Sequence, residues 1–143
     1  MLVGNYFYEY RPAANFLVRD EDASEFLQNQ FSNDLRPFEF GRCTYGLWLD
    51  AKGKIVGDSI VLCEEEGNFR VFSECSRGDL IAAHMQRHII ADEVVIEHCD
   101  PGYVFELSAE LLKALDLIIP QAGNFTRFEC GTLINISNSR FRL

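Results

Sequence analysis

Hydrophobic positions along this chain switch repeatedly between a period of two and a period near 3.6, and the switches mark out its elements. Asn15–Val18 is a short apolar run that reads as a strand. After the acidic cluster Asp20-Glu21-Asp22, the residues Ala23, Phe26, Leu27, Gln30 and Phe31 recur at helical spacing. Asp22-Ala23-Ser24-Glu25 has the spacing of a capping box, so the helix is expected to begin there, and Pro37 is expected to end it. Two β-like runs follow, Cys43–Leu49 and Ile55–Cys63. They flank Asp50-Ala51-Lys52-Gly53-Lys54, a polar segment of hairpin-loop length that contains a glycine. A further run, Phe69–Phe72, comes after the turn-like Glu64-Glu65-Glu66-Gly67-Asn68, and the three strands in succession predict an antiparallel meander.

Ser76-Arg77-Gly78-Asp79 again has the cap spacing, with Asp in place of Glu, and Leu80, Ile81, Ala83, His84, Arg87 and His88 carry a helix toward Ile90. Val94–Ile96 is a β-branched strand candidate, and Asp100-Pro101-Gly102 breaks the chain. Beyond it come a strand at Tyr103–Leu107, a capped helix at Ser108–Leu117, strands at Phe125–Cys130 and Thr132–Ile136, and the strand-like end Arg140-Phe141-Arg142-Leu143. The expected class is α+β, an antiparallel sheet with helices packed on one face in a split-βαβ, ferredoxin-like plan. Residues 1–143 read as one unit, with 1–99 a first half and 100–143 the start of a second.

Composition narrows the function classes. Of the 143 residues 48% are hydrophobic and 13% aromatic, enough to fill a core, and the formal charge of −9 repels phosphate backbones and anionic headgroups. Nucleic acid and membrane are therefore not expected as partners. No apolar run approaches the roughly 18 residues of a membrane span, and Glu9 and Arg11 do not suit a signal peptide, so a cytoplasmic location is expected. The five cysteines, Cys43, Cys63, Cys75, Cys99 and Cys130, are widely scattered without a Cys-x-x-Cys pair and read as reduced thiols.

Candidate chemistry is sparse. His84 and His88 have the spacing that puts two imidazoles on one helix face, but no glutamate of a zinc-protease helix lies between them, and surface or boundary histidines are the simpler reading. No nucleophile elbow or phosphate loop is present, and Lys52-Gly53-Lys54 reads as a solvated turn. Asp58 stands out as a carboxylate inside the apolar strand 55–62, where an acid needs a partner, water or a ligand. Alternation puts Asp58, Ile60 and Leu62 on one face and Gly57, Ser59 and Val61 on the other. With Tyr45 on the paired strand, a flat polar heterocycle could lie against the ring while the carboxylate takes its hydrogens. The alternative is a solvent-facing Asp58 beside a packing Tyr45.

Taken in order, Asp22-Ala23, Phe26-Leu27-Gln28-Asn29-Gln30, Asn33-Asp34-Leu35, Tyr45-Gly46 and Asp50-Ala51-Lys52-Gly53-Lys54-Ile55 resemble the folate-binding superfamily. That superfamily holds the glycine-cleavage T-protein (aminomethyltransferase) and the YgfZ-type iron–sulfur maintenance proteins. The resemblance runs from about Phe16 to His98 and weakens through Gly131. It implies a tetrahydrofolate site in which Asp58, matching the second acid of an Asp-Asp pair, handles the folate amine region as the catalytic group. Tyr45, Leu17, Ile60 and Leu62 fall at positions that line the pterin pocket. The first acid of the pair is Gly57 here, and the Asp-x-Ser-His-Met-like strand of the transferases is replaced by Arg11-Pro12-Ala13-Ala14. The Lys-Gly-Cys-x-x-Gly-Gln-Glu signature of YgfZ-type proteins is absent.

Family members are commonly more than twice this length, so the resemblance implies a truncated aminomethyltransferase-like protein: a reduced-folate-binding module without full catalytic machinery. Two alternatives stand beside it, a one-carbon transferase component acting with a partner chain and an interaction protein that kept the fold and lost the ligand. The missing domains also imply a homo-oligomer or a partner chain to cover apolar surface.

Overall fold

The computed structural model describes residues 4–129, 131–137 and 140–142. In chain order the elements are β1 (Phe7–Tyr10), β2 (Ala14–Arg19), α1 (Ala23–Gln30), β3 (Cys43–Leu49), β4 (Ile55–Cys63), β5 (Phe69–Ser73), α2 (Gly78–His88), β6 (Val95–His98), β7 (Val104–Leu107), α3 (Ala109–Ala114), β8 (Asn124–Phe128), β9 (Gly131–Ser137) and β10 (Arg140–Arg142), with a 3₁₀ turn at Glu65–Gly67. They form two five-stranded sheets, ordered β3-β4-β5-β2-β6 and β1-β7-β10-β9-β8. All described strand pairings are antiparallel. In the first sheet β5 and β6 flank β2 and are joined through α2, which is the split β-α-β element.

The hairpin β3–β4 has the bounds that alternation predicts, and its loop shows why. The Asp50 carboxylate accepts the backbone N–H groups of Lys52 at 2.8 Å and Lys54 at 2.9 Å, while Gly53 takes φ +77°. A short acid before a glycine closes the turn locally, with both lysines exposed to water.

Alternation also sorts the faces of the first sheet. Phe16, Val18, Trp48, Val61 and Val71 pack with Phe26 and Leu27 of α1 and Ile81 and Met85 of α2, so both helices cover one face. On the opposite face Cys43, Ile60, Leu62 and Phe72 meet Phe125 and Ile134 of the second sheet. Leu133, adjacent to Ile134, points the other way, into a cluster with Leu107 and Leu112 of α3. The layers are therefore helices, first sheet, second sheet and α3.

Both ends of α1 depart from the sequence expectation. Asp22 makes no cap bond; its Oδ2 accepts the Glu93 N–H at 2.7 Å and so ties the start of α1 to the segment before β6. Helix α1 stops at Gln30, well before Pro37, because the following residues pair with β3. Ser32 N–H donates to the Leu47 carbonyl at 3.0 Å, Ser32 Oγ accepts the Leu47 N–H at 2.7 Å, and Asn33 Nδ2 donates to the Tyr45 carbonyl at 3.0 Å. An edge strand offers unpaired backbone groups, and this segment satisfies them. Ser108 caps α3 as expected, accepting the Leu111 N–H at 3.2 Å. Cys130 and Leu143 of the expected terminal strands lie outside the described residues.

His84 of α2 is not a surface or boundary residue but is buried at 5% exposure, because its ring packs 6.0 Å, centroid to centroid, from Trp48 under the helix. Its Nε2 has no hydrogen-bond partner among the described residues. Burial pushes the imidazole below its ordinary value of 6.5; His88 and Arg87 push the same way, and Asp50 opposes them. A histidine depressed in the fold takes up protons more readily when unfolded, so its contribution is complete above the unfolded value and is lost progressively as pH falls from there through the lower folded value. The urea midpoint is expected to drop from about pH 7.5 to about pH 5.5, and the drop should shrink in His84→Leu. Equal slopes in the two proteins would place the acid sensitivity elsewhere.

Candidate functional site

The ladder between β4 and β5 runs from Cys63↔Phe69 to Ile60↔Phe72. Beyond it the chain leaves β5 at Ser73 and turns back past Asp58 before entering α2. The site arises from that turn. Asp58 Oδ2 accepts the Tyr45 hydroxyl at 2.9 Å, from the neighbouring strand β3. Asp58 Oδ1 accepts Ser73 Oγ–H at 3.2 Å and also Ser76 Oγ–H. The backbone N–H of Asp58 donates to Ser76 Oγ at 3.0 Å, so this pair bonds reciprocally.

Burial pushes the Asp58 carboxyl upward, but the hydrogen bonds from Ser76, Tyr45 and Ser73 together outweigh it and hold the group below the usual carboxylate range. It is a fixed, ionised acceptor. The Asp58 side borders a cavity of about 280 Å³ between the two sheets. Tyr45, Asp58, Ser59 and Ile60 of β3 and β4 line it, together with Phe72, Ser73 and Glu74 at the end of β5 and Ile136 and Ser137 of β9. One wall is thus polar and acidic and the other apolar, the mixture that orients a ring carrying N–H groups.

Tyr45, Asp58 and Ile60 line this one cavity together. Leu62 shares their face but lines a different cavity of about 260 Å³ on the far side of Phe72, with Arg70 and Glu64. Leu17 pairs with Arg70, in the row of Leu62, and lines neither of these two cavities. Sequence reading missed Ser73 and Ser76. Ser76 carries the spacing of a helix cap, yet the cap position of α2 is Arg77 and the serine hydroxyl is committed to Asp58. Only the apolar strand around Asp58, with its demand for partners, hinted that donors had to arrive from elsewhere.

Two glycines shape the site by close approach. A Cβ on Gly57 would sit 3.1 Å from Ser76 Cβ and 3.2 Å from Ile81 Cγ1, so an acid at that position would press on the serine that holds Asp58. A Cβ on Gly46, beside Tyr45, would lie 2.7 Å from the Phe31 ring. Elsewhere, the described cysteines are free thiols; burial pushes Cys43 up to about 12, whereas Cys75 is exposed. His88 Nδ1 is 2.7 Å from the His84 carbonyl oxygen, and no group of three metal-ligating side chains occurs among the described residues. Among those residues, too, no helix is long and apolar enough to cross a membrane.

The family model of the GCVT N-terminal domain matches residues 7–107. An aminomethyltransferase of Pelodictyon phaeoclathratiforme is 34% identical over 109 residues, covering 74% of this chain and 30% of that protein. One from Chlorobium limicola is 30% identical over 133 residues, covering 90% of this chain and 34% of that protein. The crystal structure of the glycine cleavage system aminomethyltransferase T from Bartonella henselae superimposes with a TM-score of 0.76 at 14% identity, over 95% of this chain and 41% of that one. At that identity the likeness concerns the fold. The chain spans about a third of the length of these curated relatives.

Proposed function

The chain belongs to the GCVT N-terminal domain family, and from that premise we propose that it is the reduced-folate-binding portion of an aminomethyltransferase, with tetrahydrofolate as its ligand. One observation carries the reading: an ionised Asp58 stands beside Tyr45 at the rim of a cavity between two sheets. An ionised carboxylate only accepts hydrogen bonds. It therefore selects a ligand that presents N–H donors, as the amino-bearing ring system of a reduced folate does. Ile60, Phe72 and Ile136 supply the apolar wall against which such a ring buries its faces.

Ring binding and one-carbon transfer separate in this proposal. Asp58 and Tyr45 bind and orient, while completion of the transfer falls to the remaining length of an aminomethyltransferase. Isothermal titration of the chain with tetrahydrofolate under reducing conditions is expected to give saturable binding with Kd at or below about 1 mM, corresponding to about −4 kcal/mol. No heat at millimolar ligand would remove the folate reading and favour a protein that kept the fold alone. Turnover by the chain on its own would refute the division between binding and transfer.

A further inference from the structure

Ser73 and Ser76 form a closed hydrogen-bond circuit with Asp58. Ser76 N–H donates to Ser73 Oγ at 3.0 Å, Ser73 Oγ–H donates to Asp58 Oδ1 at 3.2 Å, and Ser76 Oγ both donates to Oδ1 and accepts the Asp58 N–H at 3.0 Å. Each serine hydroxyl has one proton, and each gives it to the carboxylate. Oδ1 is thereby held by two donors from one turn, and Oδ2 remains the oxygen shared with Tyr45. The turn itself is rigidly anchored: Ser73 ends β5 at 2% exposure, and Ser76 is wedged against Gly57, the glycine that leaves it room.

We propose that the Ser73–Ser76 turn is the positioning device of the site, with Ser76 and Ser73 as positioning residues that fix Asp58 Oδ1 and aim the Oδ2 edge at the ligand. The proposal deepens the folate reading and rests on it for the ligand's identity, whereas the circuit acts on Asp58 whether or not folate is bound. Two neutral donors on one oxygen stabilise the ionised form over the protonated one, which has to place its own proton among them. The direction in which the carboxyl is held agrees.

The test uses carbon NMR of the Asp58 carboxyl, titrated with acid in the full chain without ligand. Ser76→Ala is expected to raise the Asp58 midpoint, and Ser76→Thr, which keeps the hydroxyl, to hold it near wild type. Should Ser76→Ala fail to fold, Ser73→Ala provides the same upward shift through the second donor. An unmoved midpoint in the folded alanine variant, or an equal displacement in Ser76→Thr, overturns the proposal. A parallel titration with tetrahydrofolate separates the two readings. If the midpoint responds as described but wild type binds no folate, the positioning role stands and the choice of ligand falls. If folate binds normally in a Ser76→Ala protein whose midpoint has not moved, the ligand stands and the positioning role falls.

Discussion

Replacing Trp48 with alanine is expected to remove about 3–5 kcal/mol of folding stability. Trp48 is fully buried on the helix-facing side of β3, with its ring centroid 5.0 Å from Phe31 and 6.0 Å from His84. Its Nε1–H donates to the buried Ser59 hydroxyl at 2.9 Å. Truncation thus opens a cavity where α2 and the segment after α1 meet the sheet, and it also removes the donor to a buried oxygen. Against a total of about 5–15 kcal/mol for an ordinary domain, that is a large share. The urea midpoint should fall by on the order of 2 M if the chain remains foldable. Trp48→Phe keeps most of the volume and forfeits the bond to Ser59, so a loss of about 1–2 kcal/mol is expected. Similar losses for the two variants would show that packing around the ring contributes little.

Asp58→Ala is expected to weaken tetrahydrofolate binding by roughly ten- to a hundredfold, since a hydrogen bond to a charged group contributes about 1.5–3 kcal/mol. Tyr45→Ala should weaken it less: the residue is 46% exposed, and its hydroxyl is engaged with Asp58. Stability alone does not separate a structural Asp58 from a binding one, because the carboxylate holds three hydroxyls, and Ser73 is buried. Its removal leaves those donors to find water, so some loss of stability accompanies Asp58→Ala whatever its role. Asp58→Asn resolves this. The amide oxygen still accepts from the serines while the charge is gone, so affinity should fall with stability close to wild type. Undiminished folate affinity in a folded Asp58→Asn protein would end the case for the carboxylate as the ligand's acceptor.

The amino-acid sequence by itself determined the elements whose causes are local. The β3–β4 hairpin was legible to its boundaries because alternation, an acid-to-backbone turn and Gly53 all act within a few residues. The same alternation placed Asp58, Ile60 and Leu62 on one face and the helix-packing Val61 on the other. Tyr45 and Asp58 met as expected because strand register alone brings them close, on paired residues offset by two positions.

What covers that face was decided by tertiary structure. Strand β1 pairs with β7 nearly a hundred residues later, and Phe7 and Tyr8 lie exposed in a short segment whose pattern carries no clear period. Only the placement of the second sheet against Phe72 splits one continuous apolar face into two cavities, giving Ile60 to one and Leu62 to the other. The end of α1 depended on an unpaired edge of β3 that the helix sequence does not contain. Ser76 shows the reason most directly. A serine hydroxyl accepts from a helix N-terminus but donates to a carboxylate, so which bond it makes follows from the partner within reach, and the turn between β5 and α2 brings Ser76 to Asp58.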